Sequence, residues 1–144
     1  MDVKIGVSEL TPHGSKVGEY TLTKILGTGQ FGKVWKATKD KTNEIFAVKQ
    51  IKKHSIDSNP LLKRLLKTEV SIMNEINHPN ILHLYEFMET KNNYYLVITY
   101  CNNGDLEAYL KNTGRLSESE AIYFLMQIMN GFRELHKHKI MHRD

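Results

Sequence analysis

Cysteine is nearly absent: Cys101 is the one cysteine among 144 residues. No disulfide framework can therefore brace the fold, and a reducing, cytoplasmic setting is the expectation. No apolar run approaches the ~18 residues that a membrane span needs. The opening Met1-Asp2-Val3-Lys4-Ile5-Gly6 lacks the apolar core of a secretory signal. Internal repeats and low-complexity tracts are also missing. Acidic residues are outnumbered, 16 against 20 Lys plus Arg, but the excess is spread over scattered lysines rather than one patch, which speaks against a nucleic-acid partner. What is present is an ordinary globular composition, 40% hydrophobic and 25% charged. That is too rich in large apolar residues for disorder.

The first 17 residues, with Pro12, Gly14, Ser8 and Ser15, show neither helical nor strand periodicity and are expected to form a flexible lead-in. Structure begins near Gly18. Tyr20 to Leu26 and Lys33 to Thr38 alternate and are rich in β-branched and aromatic residues, so they read as a hairpin around the glycine-rich Gly27 to Gly32. A turn at Asp40 to Asn43 leads to a third strand, Glu44 to Ile51. Asn59-Pro60 opens a helix to about Ile76, because Asn caps free N–H groups and Pro suits the first helical position. In that helix Leu65, Ile72 and Ile76 mark the apolar face, with Glu69 on the same face. Ile81 to Met88 and Tyr94 to Ile98 read as two further strands. A short helix from Leu106 and a long one opening at Ser117 follow, the second signalled by a capping box with Glu120 and by the apolar face Ala121, Phe124, Leu125, Ile128, Phe132, Leu135.

Gly27-Thr28-Gly29-Gln30-Phe31-Gly32 spells G-x-G-x-x-G, a pattern that binds phosphates because residues without Cβ let backbone N–H groups approach the oxygens. The same glycines also suit a plain hairpin turn with positive φ. A dinucleotide fold would need a helix directly after them, whereas the strand residues Lys33 to Thr38 follow. Period two puts Ala47 and Lys49 on one strand face; alone, Lys49 reads equally as a solvated strand lysine. Glu69, a carboxylate inside an apolar stripe, calls for a partner, unless it is a frayed surface residue.

Glycine-rich hairpin, strand lysine, helix glutamate and His142-Arg143-Asp144 occur in an order that resembles the protein-kinase family, whose signature includes G-x-G-x-x-G-x-V and His-Arg-Asp. The resemblance implies an α+β fold: a kinase-like small lobe at 18–100, with a five-stranded antiparallel sheet and one helix, then the hinge and first helices of the helical lobe at 101–144. It implies an ATP site formed by Leu26, Gly27, Thr28, Gly29, Gln30, Phe31, Gly32 and Val34, with Ala47 against the base. Lys49 would reach the α and β phosphates, with Glu69 fixing it there. Ile98 would be the gatekeeper. Thr99, where kinases often carry Glu, and Cys101 would offer backbone groups to adenine, Cys101 reading as hinge filler rather than as a reactive centre. Asp105 would accept from the ribose hydroxyls, though it equally suits a cap for the helix at Leu106. Asp144 would be the base that accepts the proton of a substrate hydroxyl.

By that likeness the activity is transfer of the ATP γ-phosphate to protein Ser/Thr hydroxyls, with Mg²⁺ as cofactor and a protein as substrate. The hinge Tyr100-Cys101-Asn102-Asn103-Gly104-Asp105-Leu106 is most similar to the autophagy-initiating kinases, and next to the calcium/calmodulin type. The family's metal-binding Asn and Asp-Phe-Gly fall after the position of Asp144, so no metal ligand is expected within these residues. A truncated kinase, inactive by itself, is the expectation, with a non-catalytic nucleotide-binding or interaction module as the alternative. Uncovered Phe124, Ile128 and Phe132 are expected to drive aggregation or dimerisation.

Overall fold

The computed structural model describes residues 4–5 and 14–142. In chain order it forms β1 (Lys4–Ile5), β2 (Ser15–Val17), β3 (Tyr20–Gly29), β4 (Gly32–Lys39), β5 (Ile45–Lys52), α1 (Lys53–Asp57), α2 (Pro60–Glu75), β6 (Leu84–Glu89), β7 (Asn93–Thr99), α3 (Leu106–Thr113) and α4 (Glu118–Lys137). The strands make one seven-stranded sheet in the order β1-β6-β7-β5-β4-β3-β2. Every pairing is antiparallel except that of β1 with β6. The chain divides into two units: the sheet unit holds residues 1–75 and 83–100, and the helical unit holds 76–82 and 101–144.

The sheet unit is built on two cores, one per face. Trp35, Val48 and Val97 stand in one register row and Val34, Lys49 and Leu96 in the adjacent one; alternation sends the two rows to opposite faces. On the first face Tyr20, Leu22, Ala37, Phe46, Val48 and Val97 are buried together. Against the second face, Ile56 of α1 and Leu66 and Val70 of α2 close over Ile51, Leu84, Tyr94 and Leu96. Each such side chain removed from water contributes about 2 kcal/mol before the cost of ordering it. Five of the strands are those that alternation reveals. The other two, β1 and β2, come from the stretch read as a loose lead-in. Val17 of β2 is buried in the first core, but three residues with an exposed Lys16 in the middle are too short to display a period.

In the first turns of α2 the buried face differs from the expected stripe by about one residue, while Ile76, just past the end of the helix, is buried as expected. Leu66 and Val70 are buried, with Leu62 and Met73 packed beside them, while Leu65 is 46% exposed. Glu69 therefore lies at the edge of the buried stripe and not inside it. Asn59 caps the helix: its side-chain oxygen accepts from the N–H groups of Leu61 (3.0 Å) and Leu62 (3.5 Å).

In the helical unit, the Asp105 carboxylate accepts from the N–H of Ala108 at 2.7 Å and starts α3. Gly114, at φ 82°, ends it. Ser117 and Glu120 form the expected capping box of α4. Residues 76–82 belong with these helices: Asn80 Nδ2 donates to Gln127 Oε1 at 3.3 Å, and a Cβ at Gly131 would come within 3.0 Å of the Asn80 carbonyl oxygen. Leu125, Ile128 and Phe132 are exposed. No described helix is long and apolar enough to cross a membrane.

Candidate functional site

Register assembles the site from four neighbouring strands. Gly27 of β3 is opposite Val34 of β4, Val34 is opposite Lys49 of β5, and Lys36 is opposite Ala47. On β7, Leu96 is opposite Lys49 and Ile98 opposite Ala47. Directly opposed residues share a face, so Gly27, Val34, Ala47, Lys49 and Ile98 all lie on the face that carries α2. Ala47 is 6% exposed, and Ile98 packs against the α2-side core. Lys49 Nζ meets Glu69 Oε1 at 3.0 Å, with the two side chains 39% and 47% exposed. An ammonium ion is thereby held over a strand face without being taken out of water.

The glycines of the hairpin divide into two kinds. Around Gly27 and Gly29 an added Cβ would meet nothing within 4 Å, so their backbone is open to a group above it. At Gly32 the added atom would stand 1.8 Å from the Gln50 carbonyl oxygen. That glycine is demanded by the close approach of β4 to β5. Leu26, Thr28 and Gln30 are exposed along the same hairpin. Phe31 turns back onto the α2-side core, and its carbonyl accepts from Lys52 N at 3.1 Å.

At the far end of β7, Thr99 N donates to the His83 carbonyl at 3.1 Å, and Thr99 Oγ1 accepts from His83 N at 3.2 Å. The Lys36 ammonium lies over the ring of Tyr100, 5.2 Å from its centroid. Cys101 is exposed with a free thiol. Of the two roles open to Asp105, the cap of α3 is formed. Asp144, the expected base, and Arg143 lie outside the described residues.

A polar cluster that sequence reading missed sits at the amino end of α2. The Tyr94 hydroxyl donates to Asp57 Oδ1 at 2.9 Å, and Lys63 of α2 reaches the same oxygen at 3.1 Å. Lys53 pairs with Glu89 and lies over the Tyr94 ring, 5.1 Å from its centroid. The Tyr94 hydroxyl and the Lys63 ammonium beside Asp57 hold its carboxyl below the usual carboxylate range. Burial, followed by the bond to Asp57, pushes the Tyr94 hydroxyl up to about 12. The members come from α1, α2, β6 and β7, so no local pattern in the sequence announces them.

Comparison with known proteins gives this site a family. Residues 20–144 match the model of the protein kinase domain, and the chain belongs to that family. The relatives it resembles are named Ser/Thr kinases. Serine/threonine-protein kinase atg1 of Dictyostelium discoideum is 35% identical over 133 residues, 90% of this chain and 20% of its own length. Serine/threonine-protein kinase PLK4 of Drosophila ananassae is 39% identical over 132 residues, 91% of this chain and 17% of that protein. Serine/threonine-protein kinase SIK1 of Mus musculus is 40% identical over 129 residues, 90% and 16% respectively. The chain thus spans about a fifth of the length of such relatives.

The residues present fit a nucleotide's phosphates, with open glycine backbone on the hairpin and a positioned ammonium on β5. They do not by themselves fit Mg²⁺: among the described residues no group of His, Cys, Asp or Glu is arranged to hold a metal ion.

Proposed function

We propose that this chain carries the ATP-binding part of a Ser/Thr protein kinase, which transfers the γ-phosphate of ATP to hydroxyl groups of a protein substrate. The observation that carries the reading is the 3.0 Å pair of Lys49 with Glu69, set on the strand face that also bears Ala47 and Val34. Lys49 donates to the α and β phosphate oxygens, and Glu69 holds its ammonium there so that no reorganisation is needed at the moment of transfer. Backbone N–H groups of the Gly27 to Gly32 hairpin cover the phosphates. Leu26, Val34 and Ala47 bound the base with Ile98 at its back, and the backbone of Thr99 and Cys101 binds its polar edge. Asp144 accepts the proton of the attacking hydroxyl as the new P–O bond forms and ADP leaves.

Titration of the full chain with a fluorescent ATP analogue tests the nucleotide site. The unsubstituted chain binds. Lys49→Met binds about tenfold more weakly, the loss expected for hydrogen bonds to a charged group, while its melting temperature holds because the methylene stem still packs. Equal binding by the two overturns the assignment. In the whole kinase the same substitution abolishes phosphoryl transfer.

A further inference from the structure

The contact between Lys49 and Glu69 cannot hold itself together. Both side chains are near half exposed, and exposed ion pairs contribute little because water and mobile ions compete for both charges. Whether Glu69 stands opposite Lys49 is therefore decided by what holds α2 on the sheet. Leu66 and Val70 grip its middle. Its first turns are gripped by the cluster around Tyr94, which is 6% exposed.

This cluster closes a ring. From Lys49 the chain runs along β5 into α1, where Asp57 takes the Tyr94 hydroxyl at 2.9 Å and Lys63 at 3.1 Å. From Lys63, α2 runs on to Glu69, which returns to Lys49 at 3.0 Å. Tyr94 itself is fixed on two further sides. Its ring stacks on Phe87 at 5.8 Å between centroids and 20° between planes, and Lys53, anchored to Glu89, covers it. The Tyr94–Asp57 end is thus tied to β7 and β6, and Asp57 stands two residues before Asn59, whose side chain caps α2; the Lys63–Asp57 pair, 45% and 35% exposed, adds as little by itself as the Lys49–Glu69 pair does.

We propose that Tyr94, through its hydroxyl on Asp57, is a positioning residue for Glu69: it fixes the first turns of α2 and so keeps the carboxylate opposite Lys49. The proposal rests on the ATP-site reading, but its first test needs no nucleotide. Tyr94→Phe keeps the ring, its stack on Phe87 and the lysine above it, and removes only the bond to Asp57.

In the nucleotide-free full chain, Lys49 is acylated by an amine-reactive ester and its rate read by mass spectrometry, with exposed Lys41 as the internal standard. Tyr94→Phe raises the Lys49 rate about threefold, the factor that loss of a half-exposed pair allows. An unchanged rate overturns the proposal. The second test sets Tyr94→Phe into both the native and the Glu69→Gln background and titrates each with the fluorescent ATP analogue. Binding weakens about threefold in the first and not in the second, because the positioned carboxylate is already gone. Equal weakening in both backgrounds means that Tyr94 acts on the fold and not through Glu69, and overturns the proposal. A chain in which acylation responds as expected but no variant binds the nucleotide overturns the ATP-site reading and leaves the positioning intact.

Discussion

Gly32 lies so close to Gln50 that a Cβ on it would stand 1.8 Å from the Gln50 carbonyl oxygen, whereas Gly29, three residues earlier in the same hairpin, has nothing within 4 Å of that position. The G-x-G-x-x-G pattern therefore serves two masters. Its last glycine lets β4 meet β5, and its first two leave backbone uncovered. Gly32→Ala forces the two strands apart and is expected to cost about 3 kcal/mol, the upper range for overpacking. Gly29→Ala is expected to leave the melting temperature nearly unchanged and to weaken binding of an ATP analogue. Thermal melts and titrations of both variants check the division, and a Gly32→Ala chain as stable as the original contradicts it.

That division shows what kind of information the sequence carries. The five long strands are legible because alternation over five or more residues is a local property, and the capping box of α4 is legible because Ser117 and Glu120 are three residues apart. The order of motifs identifies the family for the same reason. In its first turns the stripe of α2 is read one residue off because Leu65 and Leu66 are chemically identical; only the sheet above them decides that Leu66 goes inside. Residues 76–82 join the helical unit through Asn80 and Gln127, a contact between positions 47 residues apart. The Tyr94–Asp57 bond likewise spans 37 positions. Gly32 is legible as a glycine and not as a packing constraint, since its neighbour Gln50 belongs to another strand.

Acid should act on the cluster around Tyr94. The Asp57 carboxyl is held below its ordinary 3.8 by the Tyr94 hydroxyl, then by Lys63 and Lys53. A carboxyl whose folded value is depressed stabilises the fold above its unfolded value and loses that contribution as the pH falls through the folded one. Asp57→Asn is therefore expected to be less stable than the native chain near neutrality, with the gap closing as the pH drops below 3.8. Urea melts across that range read the difference. A gap of constant size would mean that ionisation of Asp57 contributes nothing.

Ser117 offers a second, independent test in the helical unit. Its hydroxyl accepts from Glu120 N at 3.3 Å, and its own N–H donates to Glu120 Oε2 at 2.8 Å. Ser117→Ala leaves a helix N–H without its partner and is expected to cost about 1 kcal/mol. The hydroxyl and N–H of Ser117 also hold the Glu120 carboxyl below its ordinary 4.5, so the cap contributes above that value and fades as the pH falls through the lowered one. Amide protection at the start of α4, taken relative to the intrinsic exchange rate at each pH, should fall in Ser117→Ala at neutral pH, and in the native chain on acidification. Unchanged exchange in the variant counts against the cap.

Leu65 and Leu66 decide which face of α2 meets the sheet. Leu66 is 6% exposed and Leu65 46%. Leu66→Ala empties a site walled by Val70, Leu84 and Leu96, and such a truncation costs about 3 kcal/mol through lost transfer energy and the cavity left behind. Leu65→Ala removes atoms that already meet water and is expected to change stability by no more than about 0.5 kcal/mol. The two substitutions delete the same atoms one position apart, so helix propensity cancels between them and the difference in their urea midpoints reports the buried face alone. Because Glu69 lies three residues beyond Leu66, a rotation of α2 that exchanged the two leucines would also carry the carboxylate about 100° around the helix axis and away from Lys49. Equal costs for the two variants would therefore count against the Lys49–Glu69 pair as well as against the packing.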